Sequence, residues 1–479
     1  MREIRTSGAT RGAGELRFLP PTLPVIVSFP EKSLLLLSVV VMRTSFLISV
    51  VFTTAATASV RTPYPHRVVR VSPSDAASPA EVSVAINPTR PENIVAVSLQ
   101  TVGPGTDFAY VSFDGGNNWA SVQGPNPHGR IQGDDAVVFD DEGRAFWSYI
   151  SFSGLRVDKP DDAANGIFVN RSDDGGRTWS EPATVIDHLN TVEPFEDKPF
   201  LTTGPGGRVY LAWTRFTKYG TPDPDETSHI LFSLSEDAGE SFAMPFRVSE
   251  EPGDAVDSDG TLEGVVPAVG VDGEVYLVWS GPKGLVLDKS TDGGWTFGDD
   301  RVIGPHAGGW DLEVEGLSRA NGFPVSGVDH SDGALRGALY VNWIDDRHGD
   351  PDVFVMRSDD GGVSWTSPVR VNLDPRGNDA VQFFTWMAID PHDGSVNIAY
   401  YDRSGLEGTK TGVTFARSID GGSHFETVPI AIDAFETSPD VFFGDYLGVD
   451  AYGGRAVVVF QHFTSSSTVA LSAALFRFQ

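Results

Sequence analysis

From about residue 66 onward the chain is a succession of short runs in which apolar and polar residues alternate. Period-two runs of this length read as half-buried strands. No stretch after residue 60 keeps a helical period over a useful length. Between certain pairs of runs one eight-residue pattern recurs: Ser-x-Asp-x-Gly-x-x-Trp, with Phe in some copies in the last place. The six copies run from Ser112 to Trp119, Ser172 to Trp179, Ser235 to Phe242, Ser290 to Phe297, Ser358 to Trp365 and Ser418 to Phe425. Around the second copy, Gly166-Ile167-Phe168-Val169 precedes the pattern and Ala183-Thr184-Val185-Ile186 follows it. The unit is therefore strand, tight turn, strand. Its aspartates, Asp114, Asp174, Asp237, Asp292, Asp360 and Asp420, can accept amides of their own turn. The second Gly can take a positive φ, and the aromatic can fold back as a plug.

These are the features of Asp-boxes, or BNR repeats, and the chain resembles the Asp-box β-propellers of the sialidase superfamily. The boxes span 112–425 and the wider blade pattern covers roughly 66–479. The resemblance implies an all-β propeller with four-stranded antiparallel blades, and it implies no single activity.

A second repeat sets the number of blades. Arg208 to Trp213, Glu274 to Trp279 and Ala338 to Trp343 match one another, and looser copies end at Trp147, Tyr400 and Phe460, with Asn93 to Leu99 first. That makes seven second strands against six boxes. The seventh unit lacks a fourth strand, and Val69-Arg70-Val71-Ser72 resembles the fourth strands Phe246 to Ser249 and Val369 to Asn372. The expectation is a seven-bladed ring closed by the N-terminal strand, with a six-bladed ring as the alternative. Closure removes the sheet edges that would invite aggregation. Boxes about 61 residues apart agree with seven units over 414 residues.

The N-terminus reads differently. Met42-Arg43, the apolar Phe46 to Phe52 and Ala56-Thr57-Ala58 form a secretory signal pattern. Residues 1–58 are read as this signal with an overextended start, and 59–479 as the propeller. The alternative is an anchor that uses the apolar Leu34 to Val41 as well. The expected location is secreted, periplasmic or at the cell surface. The chain has no Cys, which excludes disulfides, thiolate metal sites and a Cys nucleophile. Its net charge of −30 opposes binding to nucleic acid or anionic membranes. A monomer acting on an extracellular polar ligand is expected.

Strand direction places the boxes on one face and leaves the other face, over the channel, for chemistry. Starts of first strands supply Glu81, Asp134, Asp135, Glu196-Asp197-Lys198, Glu263 and Asp445-Tyr446 to that face. Ends of second strands supply Arg215, Asp345-Asp346-Arg347 and Tyr401-Asp402-Arg403. The sialidase resemblance implies a carboxylate clamp of Arg215, Arg347 and Arg403, with Asp445 beside it. It also implies Tyr446 as nucleophile, Glu263 as its base and Asp134 or Asp135 as acid. One departure stands against it: where sialidases carry Phe/Tyr-Arg-Ile-Pro, this chain has Val69-Arg70-Val71-Ser72, on an outermost strand. The acid ring is also a candidate for Ca²⁺ through carboxylate oxygens. There is no His-Glu-x-x-His, Gly-x-Ser-x-Gly or P-loop. Two function classes follow: a glycan-binding, sialidase-like glycoside hydrolase, and a non-catalytic extracellular binding or scaffolding propeller.

Overall fold

The computed structural model describes residues 64–76, 78–102, 105–155 and 163–478. The expected signal segment lies outside the described residues.

Seven four-stranded antiparallel sheets follow one another along the chain and form the blades of a propeller. Blade 1 consists of Pro79–Ile86, Ile94–Gln100, Phe108–Ser112 and Ala120–Gln123. The innermost strands of blades 2 to 6 are Ile131–Phe139, Phe195–Gly204, Glu263–Val269, Val325–Val328 and Gln382–Ile389. Blade 7 is Gly448–Ala451, Arg455–Ser465 and Thr468–Arg477, completed by His66–Arg70 from the N-terminus. That strand pairs from His66 opposite Phe476 to Arg70 opposite Ser472, so the ring closes as the missing fourth strand predicts. Two additions to the blade pattern were not legible in the sequence. A short hairpin, Asp311–Leu312 with Ala320–Asn321, is inserted between blades 4 and 5, and Phe435–Glu436 adds to blade 6.

The second strands explain the core. Trp147, Trp213, Trp279 and Trp343 are at most 1% exposed, sandwiched between blades. In three blades the indole N–H donates to a buried carboxylate at the channel end: Trp147 to Asp135 at 2.5 Å, Trp213 to Glu196 at 2.6 Å and Trp343 to Asp345 at 2.8 Å. A buried indole needs such an acceptor.

All six boxes close in the same way. The Ser hydroxyl donates to the Asp carboxylate and accepts the amide of the second Gly. In blade 1, Ser112 reaches Asp114 at 2.9 Å and takes the Gly116 amide at 2.9 Å. The Asp in turn accepts the amide four residues ahead of it, as Asp292 does from Thr296 at 2.9 Å. The Thr296 hydroxyl and amide hold Asp292 down at about 2. The second Gly also abuts the preceding blade. A Cβ on Gly362 would lie 2.3 Å from Leu287, and one on Gly116 2.5 Å from Leu475. The box is thus a seam between blades as well as a hairpin staple.

Candidate functional site at the channel mouth

In five blades the innermost strand slips register near the channel end opposite the boxes. The slips fall between Ala80 and Ser83, Gly133 and Ala136, Asp197 and Phe200, Glu263 and Val266, and Phe383 and Trp386. Each bulge holds one residue at positive φ: Glu81 at 53°, Asp134 at 53°, Lys198 at 48°, Gly264 at 70° and Phe384 at 47°. Bulges re-aim side chains. Here charged residues of three neighbouring bulges, with Glu263 of the fourth, converge on the channel axis.

Lys198 is the hub. Its ammonium lies 2.8 Å from Glu263, 3.4 Å from Asp445 and 3.6 Å from Asp197. Arg319, directly before the second strand of the inserted hairpin, is the second cation. One guanidinium nitrogen contacts Asp445 and stands 3.8 Å from Glu81, and the other is 3.9 Å from Asp257. The hairpin spans the mouth to reach them. Asn321 donates to the Asp445 carbonyl at 2.9 Å, Trp310 to Thr261 O at 3.3 Å, and Arg319 lies over the Phe442 ring at 5.0 Å. Glu81, Asp197, Lys198, Glu263 and Asp445 are consequently at most 5% exposed, while the Arg319 side chain keeps 36%.

Burial and charge pull these groups in opposite directions. For Lys198, burial would lower the ammonium, but Asp197, Glu263 and Asp445 outweigh it and hold it well above the usual range. For Asp445, burial would raise the carboxyl, yet Arg319 and Lys198 prevail and keep it below the ordinary value. Glu81 goes the other way: burial, then Asp134 and Asp445, push it well above the carboxylate range. One carboxyl pushed up and one held down therefore flank the same guanidinium. Asp107 and Asp135 form a separate buried pair between blades 1 and 2: burial, then the charge of Asp135, pushes Asp107 well above the carboxylate range, and burial pushes Asp135 up to about 7.

The residues singled out from sequence divide into two sets. Glu263, Asp134 and Asp445 belong to the cluster, and Asp135 sits behind it on Trp147. Tyr446 packs against Phe200 and Trp386, with centroids 5.3 and 5.8 Å away, and its hydroxyl donates to the Asp135 carbonyl at 3.0 Å. Burial pushes this phenol well above its usual range. Arg215, Arg347 and Arg403 have no partner in common. Arg215 is held by Glu196 at 2.5 Å and Arg347 by Asp345 at 2.5 Å, each across one register step or a two-residue turn of its own blade. Arg403 donates to Thr411 and Thr437, both at 3.1 Å. Arg70 lies on the outermost strand of blade 7, bonded to Ser72 O at 2.8 Å. Among the described residues no group of three or more His, Asp or Glu is placed to hold a metal ion. The acids expected to offer oxygens to Ca²⁺ close on Lys198 and Arg319 instead.

Sequence reasoning missed Arg319, Asp257 and the role of Lys198. One signal was there for Arg319: the interval from Ser290 to Ser358 is the longest between consecutive boxes, and it contains the inserted hairpin. At the opposite end of the channel, innermost strands of all seven blades line a shaft of about 580 Å³. Phe200, Trp386 and Tyr446 separate that shaft from the acid cluster.

No family model matches the chain. A xyloglucanase of Paenibacillus sp is 28% identical over 268 residues, which cover 53% of this chain and 23% of the xyloglucanase. The match thus spans about a quarter of that relative's length. Among solved structures, a protein of unknown function from Dyadobacter fermentans superposes with a TM-score of 0.50 at 13% identity, covering 88% of this chain and 99% of its own. An alpha-L-arabinanase of Penicillium chrysogenum reaches 0.46 at 12% identity, over 85% and 97% of the two chains. At 13% identity the likeness to the Dyadobacter fermentans protein is one of fold alone.

Proposed function

We propose that the chain is an exported Asp-box propeller of the sialidase superfamily that acts on glycans, cleaving a glycosidic bond at the channel mouth. The observation that carries the reading is the pair Glu81 and Asp445, displaced in opposite directions beside one guanidinium. Two carboxyls with environments that split their protonation are what acid-assisted glycoside cleavage needs. Glu81 would protonate the leaving oxygen. Asp445 would act as the anion, either as nucleophile or as base toward water. Arg319 holds Asp445 ionised, and its exposure makes it the first member a sugar meets. The match to a xyloglucanase supports a glycan ligand.

The three-arginine clamp and the Tyr446 nucleophile of a sialidase are not used in this proposal. The arginines have acids or hydroxyls of their own, and the Tyr446 hydroxyl is tied to a backbone carbonyl.

A screen of the purified chain against aryl glycosides, a sialoside and xyloglucan tests the reading. Turnover is expected on a non-sialoside, lost by 10²–10⁴-fold in Glu81→Gln and Asp445→Asn and kept in Tyr446→Phe. Turnover that survives the carboxyl changes and is lost in Tyr446→Phe would restore the sialidase mechanism. The near-complete burial of Glu81 and Asp445 favours a second reading, a non-catalytic glycan-binding propeller. Binding without turnover on any substrate would select it.

A further inference from the structure

We infer that the channel mouth selects glycans whose sugars carry no carboxylate and turns away uronic and sialic acids; this rests on the glycan-active reading above.

The charge inventory carries the inference. An anionic sugar is held best by a cation with donors to spare, in a bidentate fork. Here Lys198 is closed on Glu263, Asp445 and Asp197 and is 4% exposed. Arg215 is closed on Glu196, and Arg347 on Asp345. Arg403 is 6% exposed and donates to the neutral hydroxyls of Thr411 and Thr437. Arg319 reaches solvent, yet its terminal nitrogens face Asp445, Glu81 and Asp257.

The solvent-facing rim adds acid. Asp257 is held at a positive φ of 68° and accepts the Tyr219 hydroxyl at 2.5 Å, with its side chain 19% exposed. Asp259 and Asp311 are exposed beside it, and the Asp311 amide donates to Asp259 at 2.8 Å. An incoming carboxylate would face this rim, while the one arginine of the set without an acid partner, Arg403, is buried. A neutral sugar brings hydroxyl donors, which carboxylate oxygens accept, and apolar faces, which the half-buried Phe323 and Phe442 rings can meet.

The test compares one ligand in three charge states. Xyloglucan oligosaccharide, the same oligosaccharide with its primary hydroxyls oxidised to carboxylates, and the methyl ester of the oxidised form are titrated calorimetrically into the full chain at low salt. The neutral form is expected to bind at least tenfold tighter than the oxidised form. Esterification should restore affinity, and added salt should narrow the gap. Asp257→Asn should narrow it too. Equal or tighter binding of the oxidised form, or a gap untouched by esterification, would overturn the inference while leaving the glycan-active reading in place. Absence of binding and turnover on every glycan would remove both.

Discussion

Asp450 accepts the Ile86 amide at 2.7 Å and the Ala451 amide at 2.8 Å, and burial pushes its carboxyl up to about 7. Asp135 is pushed by burial to the same region. An unfolded aspartate titrates near ~3.9, so the folded chain binds these protons more tightly than the unfolded one. Their ionisation therefore lowers stability as pH rises from the unfolded value through the folded one, and the loss is complete above about 7. Thermal melts should show Tm falling by several degrees from pH 5 to pH 8. Asp450→Asn should flatten part of that slope while lowering Tm at pH 5, because the amide offers one acceptor to two N–H groups. An unchanged slope would mean that Asp450 titrates normally in the fold.

At the scale of the element, the boxes and the Trp-bearing second strands were legible because their signals are local. A turn needs Ser, Asp and Gly at fixed offsets, and a buried strand needs period-two alternation. The bulges were not legible. Each inserts a residue that shifts the alternation by one, which looks like noise in a single strand. Arg319 was missed because its contact with Asp445 joins positions 126 residues apart, through a hairpin of two-residue strands. The second box Gly was read as a conformational device alone, yet it also abuts the preceding blade. Gly362→Ala should accordingly destabilise by about 1–3 kcal/mol, since it strains a φ of 88° and drives a methyl into Leu287. Gly206→Ala offers a control, with a φ of 76° and no atom within 4 Å of the added carbon. Equal losses in urea unfolding would deny the seam role.

At the scale of the molecule, the ring is held shut by one strand. His66–Arg70 covers Thr468–Arg477, which would otherwise be an open edge of ten residues. A chain beginning after Ser72 should melt lower and aggregate at concentrations where the full chain does not. The ring also explains why charge gathers where it does. Its innermost strands converge at the channel, the box end is separated from the cluster by Phe200, Trp386 and Tyr446, and the other end collects the charged bulges. Strand direction was enough to place Glu263, Asp134 and Asp445 at this end of the channel, where they cluster. The arginines that the sialidase resemblance implied were legible only as positions, since the sequence does not say which acid each would meet.

The central claim is that Glu81 serves as the proton donor at this mouth. It is tested most directly by comparing two leaving groups in Glu81→Gln. On a glycoside whose leaving oxygen needs protonation, the variant should fall at least 100-fold below the natural chain. On the dinitrophenyl glycoside of the same sugar, which departs without a proton, it should keep nearly the natural rate. Equal losses on both, or no loss on either, would contradict the assignment.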